Sequence, residues 1–207
     1  MDEEMVKRAY SRCARYYDFL FGSIFRQGRQ KAIELLGIKE GERILEVGIG
    51  TGLSLRYYPP YCEVMGIDIS HPMLQIAEER IKSLRLSNVT LQLMDAARMN
   101  FDGRKFDAVI AAYVVSVAPD LVGVLRSMKE VCKPGGKIII LNHFCSDNRF
   151  LARLELLFSP LCQRLGFRTG LTMEELLEGL KLEVKELQRV NLFKGWKLIQ
   201  FINDTTP

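Results

Sequence analysis

The amino-acid sequence predicts an α/β fold with a mostly parallel sheet and helices on both faces. Three observations lead to this prediction: short β-rich runs alternate with helical stretches, these runs are almost continuously apolar, and a glycine-rich segment follows the first of them. Strands that alternate with helices are typical of a parallel sheet. A strand covered by helices on both sides is apolar along its whole length. The chain has 207 residues, which suits one main domain with small additions.

The predicted elements divide the chain into three parts. Five runs make up the central sheet: residues 43–49, 63–69, 89–95, 106–115 and 136–144. Between them we expect helices over residues 52–58, 72–85 and 119–132. After two more helices, at about 149–165 and 172–180, alternating runs at 182–190 and 195–203 predict an antiparallel hairpin at the sheet edge. Two or three helices before residue 40 are expected to form an N-terminal cap. The predicted units are a cap over 1–40 and a domain over 41–207, with an insertion at about 146–180.

Composition excludes several classes of protein. Hydrophobic residues make up 48% of the chain and charged residues 26%, as in an ordinary globular protein. No apolar run reaches the roughly 20 residues of a membrane-spanning helix, and the N-terminus lacks the apolar stretch of a signal peptide. The five cysteines are scattered without a CxxC pair, which favours a reducing cytoplasm. The two histidines lie far apart with no acidic cluster, so no metal site is expected.

The glycine-rich segment over 48–52 points to a ligand. Gly48, Gly50 and Gly52 stand at every second position, and Glu46 precedes them. Glycine permits a positive φ and a close approach to the backbone, and ligands of such sheets bind at the carboxyl ends of the strands. The spacing matches neither the GxGxxG of a dinucleotide site nor a phosphate loop ending in GK[ST].

A second acidic residue, Asp68, ends the second predicted strand. A carboxylate at this place accepts hydrogen bonds from ribose hydroxyls. A positively charged adenosyl compound therefore fits the acidic segment better than a pyrophosphate does.

Several stretches carry a family resemblance. "LEVGIGTG", "GIDIS", "MDA" and "VCKPGGKIIILN" resemble, in order and spacing, the motifs of class I S-adenosylmethionine-dependent methyltransferases over about residues 10–145. "YSRCARYYDFLFGSIFRQGRQKAI", "NHF" and "FSPLCQRLGF" resemble the bacterial phosphatidylethanolamine N-methyltransferases of the Rhodobacter type over nearly the whole chain. The resemblance implies a Rossmann-like sheet of seven strands, with S-adenosyl-L-methionine as cofactor and S-adenosyl-L-homocysteine as product.

The resemblance also implies roles for individual residues around the cofactor. Glu46 is expected at its amino-acid end, directly or through water, and Gly48 and Gly50 beside its methionine and ribose. Asp68 is expected to take the ribose hydroxyls, with Ile69 and Met73 packing on adenine. The remaining predicted contacts are Asp95 with the adenine amine, Ala96 through its backbone amide, Ala112 and Tyr113 along the inner side, and Tyr10 and Tyr17 from the cap.

Methyl transfer from a sulfonium to an amine needs correct positioning more than it needs a catalytic residue. A sulfonium methyl is already activated, so positioning supplies much of the rate. The amine must lose a proton, and burial lowers the pKa of an ammonium group. Tyr17, His143 or a lipid phosphate are the candidates for receiving it. His143 follows the fifth predicted strand and has a structural interpretation as well.

A basic and apolar segment over residues 149–165 indicates a contact with membranes. Phe150, Leu154 and Phe158 recur at helical spacing beside Arg149, Arg153 and Arg164. This combination is typical of a helix that lies in the membrane interface, although a helix packed on the sheet has the same pattern. Residues 1–31, with seven Lys or Arg against four acids, are also basic.

The sequence thus predicts a monomeric cytoplasmic enzyme, peripherally bound to the inner face of the cytoplasmic membrane. Its expected substrate is phosphatidylethanolamine, which it methylates towards phosphatidylcholine, on an anionic membrane surface contacted by the cap and residues 149–165. Two alternatives are a methyltransferase for a quinone precursor or another small apolar acceptor, and a non-catalytic adenosyl-binding protein that docks on membranes. Nucleic acid is not an expected partner, because the basic residues are not interleaved with a stacking platform.

Overall fold

The computed structural model describes Gly22 and residues 25–144, 172–180, 182–191 and 196–204. Most of the predicted N-terminal cap, including Tyr10 and Tyr17, and the predicted helix over 149–165 lie outside these ranges.

Seven strands form one sheet in the order β3-β2-β1-β4-β5-β7-β6. The strands are β1 (Arg43–Val47), β2 (Glu63–Asp68), β3 (Val89–Leu93), β4 (Phe106–Ala112), β5 (Cys132–His143), β6 (Val184–Val190) and β7 (Trp196–Ile202). The first five run parallel, whereas β7 is antiparallel to both β5 and β6. This topology confirms the predicted fold, a mostly parallel sheet with an antiparallel C-terminal hairpin.

Helices cover both faces of the sheet and define two cores. The helices are α1 (Arg26–Leu36), α2 (His71–Leu84), α3 (Leu121–Val131) and α4 (Met173–Leu180). Successive residues of β4 point to opposite sides, so Val109 packs in the core under α3 and α4, and Ile110 in the core under α1 and α2. Both residues are at most 1% exposed. This double burial explains why the strand is apolar without a break.

Helix α1 is the part of the predicted N-terminal cap that the structure describes. Its buried residues Ala32, Ile33 and Leu36 pack on the sheet. The helix ends at Gly37, which has φ 54° and donates its N–H to the carbonyl of Glu34, as glycine does at helix ends.

Three predicted boundaries are wrong. The helix expected over 52–58 is a single 3₁₀ turn, Leu55–Tyr57, because Pro59 disfavours a helical conformation in the residue before it. The fourth strand ends at Ala112 and not at residue 115, since Tyr113 has φ 65°. The fifth strand begins at Cys132, before the glycines, and a register shift accommodates the extra residues.

In the described ranges, no helix has the length and hydropathy needed to span a bilayer.

Candidate active site

A cavity of about 240 Å³ lies at the carboxyl ends of the parallel strands. Four segments form its wall: the glycine loop after β1, the end of β2 with the start of α2, the turn after β3, and the segment after β4. The wall includes most of the residues predicted to bind a cofactor: Gly48, Gly50, Asp68, Ile69, Met73, Asp95, Ala96, Ala112 and Tyr113. Because parallel strands place their carboxyl ends at one edge, residues far apart in sequence meet here.

The carboxylate of Asp68 links two sides of this cavity. Its Oδ2 accepts the N–H of Gly50 at 2.9 Å, and its Oδ1 accepts the N–H of Ser70 at 2.8 Å. Burial raises the pKa of Asp68, and the backbone N–H donors of Ser70, Gly50 and Ile69 work against that rise. A carboxylate has about four acceptor sites, so Asp68 retains acceptor capacity towards the cavity after these two bonds.

The glycines of the loop have different surroundings. All three have positive φ, 65° at Gly48, 57° at Gly50 and 74° at Gly52. A Cβ at Gly48 would lie 2.3 Å from Cγ2 of Val114, whereas a Cβ at Gly50 would meet no atom within 4 Å. Of these positions Gly50 is therefore the one at which a side chain would enter the cavity without first colliding with the protein.

Ser70 and Asp95 add polar groups to the wall. Ser70 precedes α2, and among the described residues its buried Oγ is the side-chain polar atom that lacks a hydrogen-bond partner. Asp95 precedes the 3₁₀ turn Ala96–Arg98 and accepts the N–H of Ala97 at 2.9 Å through Oδ1. An unsatisfied buried hydroxyl is costly, and a polar ligand in the cavity would relieve that cost.

Glu46, in β1, is buried and hydrogen-bonded. It is 3% exposed, and its carboxylate accepts bonds from Ser54 Oγ, at 2.7 and 2.8 Å, and from Tyr58 Oη at 2.8 Å. Burial raises the pKa of Glu46, while the Ser54 and Tyr58 bonds and the charge of Arg29 lower it. Glu46 anchors the turn at Ser54–Tyr58 through these bonds, and its contact with the amino-acid end of the cofactor, directly or through water, stays a prediction.

Of the two predicted catalytic residues, His143 and Tyr17, the described structure includes His143. His143 is the last residue of β5, and its ring lies edge-on to Trp196 with centroids 5.5 Å apart. It does not line the cavity. Tyr17 and the predicted cofactor contact Tyr10 lie outside the described residues.

The sequence interpretation missed the wall contributed after β4. Val117, Ala118, Pro119, Asp120 and Val124 lie there, between the end of the strand and the first turns of α3. The signal was present in Pro119–Asp120, since an acidic residue before a helix is a typical N-cap. Asp120 has that role and accepts the N–H of Gly123 at 2.9 Å.

The charges of the wall favour a cationic ligand. Three carboxylates, those of Asp68, Asp95 and Asp120, line the cavity together with one guanidinium, that of Arg98. Carboxylates close to a positive charge lower its energy more in a partly buried site than in bulk water. The open space at Gly50, the unpartnered Ser70 hydroxyl and the excess of carboxylates fit an adenosyl compound with a positive sulfonium.

Comparison with known proteins agrees with this site. A family model described as a methyltransferase domain matches residues 44–136. The phosphatidylethanolamine N-methyltransferase of Cereibacter sphaeroides is 38% identical over 187 residues, which cover 90% of this chain and 91% of that protein. The ubiquinone/menaquinone biosynthesis C-methyltransferase of Pseudomonas savastanoi pv. phaseolicola is 27% identical over 217 residues, 98% of this chain and 85% of that protein.

A solved structure shows the same fold. Phosphoethanolamine N-methyltransferase 2 of Haemonchus contortus, in complex with S-adenosyl-L-methionine, superposes with a TM-score of 0.76 at 18% identity, over 98% of this chain and 60% of that one. The chain belongs to the S-adenosylmethionine-dependent methyltransferases. Its cofactor is S-adenosyl-L-methionine, and the co-product is S-adenosyl-L-homocysteine.

Replacing Asp68 by Ala should weaken binding of S-adenosyl-L-homocysteine at least about tenfold, because hydrogen bonds to a charged group contribute about 1.5–3 kcal/mol. Isothermal calorimetry measures the change. Glu63→Ala is the matched control, since Glu63 is an exposed acid at the other end of the same strand. Equal affinity in a folded Asp68→Ala protein would remove this carboxylate from the binding site.

Replacing Gly50 by Val should abolish cofactor binding, because the side chain would extend into the cavity. Gly41→Val is the matched control: Gly41 also has positive φ, 77°, and open space around its Cβ position. Both variants should lose a similar amount of stability in urea denaturation, since a non-glycine residue in the left-handed region costs about 1–2 kcal/mol. Only Gly50→Val should lose binding in calorimetry. Normal binding by Gly50→Val would contradict the placement of the cofactor in this cavity.

Proposed function

We propose that the enzyme methylates the amine of phosphatidylethanolamine and of its methylated products, towards phosphatidylcholine. The observation that carries the proposal is the similarity to the Cereibacter sphaeroides enzyme, which extends over 90% of this chain at 38% identity. The identity is higher than the 27% of the quinone methyltransferase, whose similarity also covers nearly the whole chain.

The cavity residues suit the two halves of the cofactor. In this proposal Asp68 accepts hydrogen bonds from the ribose hydroxyls, and Ile69 and Met73 pack on the adenine. Asp95 and the backbone of Ala96 contact the edge of the base. When bound, S-adenosyl-L-methionine supplies a methyl group activated by its sulfonium. The chain contributes orientation and exclusion of water, which can account for several kcal/mol of rate enhancement.

The acceptor amine must be neutral to react, so a group near it must receive its proton. Tyr113 is the polar side chain that follows β4, and it is 8% exposed. Desolvation beside such a buried wall lowers the pKa of an ammonium group and favours its neutral form. His143, Tyr17 and the lipid phosphate remain the proposed recipients of the proton.

A quinone precursor is the second candidate acceptor. It is favoured by one observation, the similarity to a ubiquinone/menaquinone C-methyltransferase over 98% of this chain. The identity there is 27%, against 38% for the phospholipid enzyme. Phosphatidylethanolamine is therefore the first choice.

Access to a lipid substrate requires contact with a membrane. We propose that the enzyme is a cytoplasmic monomer that binds peripherally to the inner face of the cytoplasmic membrane. The N-terminal cap over 1–40 and residues 149–165 are the proposed contact surfaces, because both combine basic and large apolar residues. The domain over 41–207, with its insertion at about 146–180, completes this division of the chain.

Expression in a bacterial host without phosphatidylcholine should produce methylated derivatives of phosphatidylethanolamine. Feeding methyl-labelled methionine and analysing lipid extracts by thin-layer chromatography and mass spectrometry detects them. The Gly50→Val protein is the control for cofactor-dependent transfer. Unchanged lipids in this host, together with restored quinone methylation in a second host that lacks its own quinone methyltransferase, would replace the phospholipid with the quinone acceptor.

Changing Arg149, Arg153 and Arg164 together to Gln should weaken binding to anionic vesicles by up to about 3 kcal/mol, at roughly 1 kcal/mol for each charge. Added salt should weaken wild-type binding in the same direction. Cosedimentation with vesicles over a salt series measures both effects. Changing the exposed residues Lys82, Arg104 and Arg126 to Gln is the matched control for lost charge, since all three lie outside the proposed contact surfaces. Binding that ignores salt and the three arginines would exclude an electrostatic interfacial contact.

A further inference from the structure

A buried arginine next to the cavity has aromatic neighbours and, among the described residues, no hydrogen-bonded acceptor. Arg29 lies in α1 and is 7% exposed. Its guanidinium carbon is 5.2 Å from the centre of the Tyr113 ring and 5.9 Å from that of Phe25. Within the described ranges its side chain makes no hydrogen bond and no ion pair. A guanidinium has five N–H donors, and its contacts with the aromatic rings leave these donors free to bind a polar group.

The aromatic groups around Arg29 are held firmly. The rings of Phe25 and Tyr113 stack with centroids 4.5 Å apart. Tyr113 Oη donates to the carbonyl of Phe25 at 3.3 Å and accepts from Asn191 Nδ2 at 2.8 Å. Asn191 Oδ1 in turn accepts the N–H of Gly28 at 2.7 Å. The face of a ring attracts a cation and restricts its position, so the guanidinium is fixed before any ligand arrives.

Glu46 does not accept a hydrogen bond from Arg29. The two charges are close enough for Arg29 to lower the pKa of Glu46. The Glu46 oxygens, however, accept their hydrogen bonds from Ser54 and Tyr58. In the part of the chain that the structure describes, the donors of Arg29 are therefore available to a ligand.

We propose that Arg29 binds the phosphodiester of the lipid headgroup and thereby positions the acceptor amine. This proposal rests on the proposed function. Arginine suits a phosphate because its planar fork can donate two parallel bonds to it. Only a two-carbon arm separates the phosphodiester from the amine in phosphatidylethanolamine. The Tyr113 ring stands next to Arg29, and Tyr113 also lines the cofactor cavity, so one headgroup can reach both sites.

The carboxylate of the cofactor is the competing anion. Arg29 does not line the cavity that fits the adenosyl compound. Arg29 also belongs to α1, in the predicted N-terminal cap, which we expect to face the membrane. These two positions favour the phosphodiester.

Kinetics of the full-length enzyme test the proposal, with phosphatidylethanolamine presented in detergent mixed micelles. Arg29→Met keeps most of the apolar stem and should raise KM for the lipid at least about tenfold, as expected for losing a hydrogen bond to a charged group. Arg29→Lys keeps the positive charge but not the planar fork of donors. Its KM for the lipid should lie between the values of Arg29→Met and the wild type. Calorimetric affinity for S-adenosyl-L-homocysteine should stay within about twofold in both variants. Circular dichroism and urea denaturation report whether each variant is folded.

The control is Lys82→Gln, which removes an exposed charge from α2, outside both proposed membrane-contact segments. It should leave KM unchanged. Weaker binding of S-adenosyl-L-homocysteine by both Arg29 variants would assign Arg29 to the cofactor carboxylate and overturn the proposal. An unchanged KM with active wild-type enzyme would also overturn it, and would leave the proposed function intact. Wild-type enzyme inactive on the lipid would reject the proposed function itself, and the headgroup contact with it.

Discussion

The hydrogen bond from the Gly50 N–H to Asp68 is the contact on which the rest of the site depends. At 2.9 Å it joins the glycine loop after β1 to the end of β2. The same carboxylate accepts the N–H of Ser70, where α2 begins. One side chain therefore fixes the relative positions of a loop, a strand end and a helix start. A bond made by a charged acceptor is stronger than one between neutral groups, so this arrangement is held before the cofactor binds.

The sheet makes that arrangement rigid. β1 lies between β2 and β4, and Val47 pairs with Ile67 and Ala111. Residues of β4 are buried on both faces, in the two cores under different helices. Interiors of this kind are closely packed and resist displacement. The loops at the carboxyl edge can then carry strained conformations, such as φ 65° at Tyr113, without disturbing the strands below.

The parts that follow from local chemistry could be predicted from the sequence. Alternating strands and helices gave the topology, and acids and glycines at strand ends gave Gly50, Asp68 and Asp95 in the cavity wall. The parts that depend on packing could not. The hydrogen bonds that Ser54 and Tyr58 donate to the buried Glu46 are one example. The contact between Arg29 and the Tyr113 ring is another, since it is recognisable only when α1 is seen against the end of β4.

Opposite charges lie at two different parts of the site. Carboxylates of Asp68, Asp95 and Asp120 lie on the cavity side, and the Arg29 guanidinium lies beyond the Tyr113 ring. A zwitterionic headgroup has a negative phosphodiester and a positive amine. In this field its low-energy orientation places the amine towards the cavity and the phosphodiester towards Arg29, since each charge then approaches the opposite sign. Such an orientation presents the nitrogen to the methyl donor. A neutral quinone ring gains nothing from the same charges, so the proposed contact with Arg29 applies to the phospholipid acceptor alone.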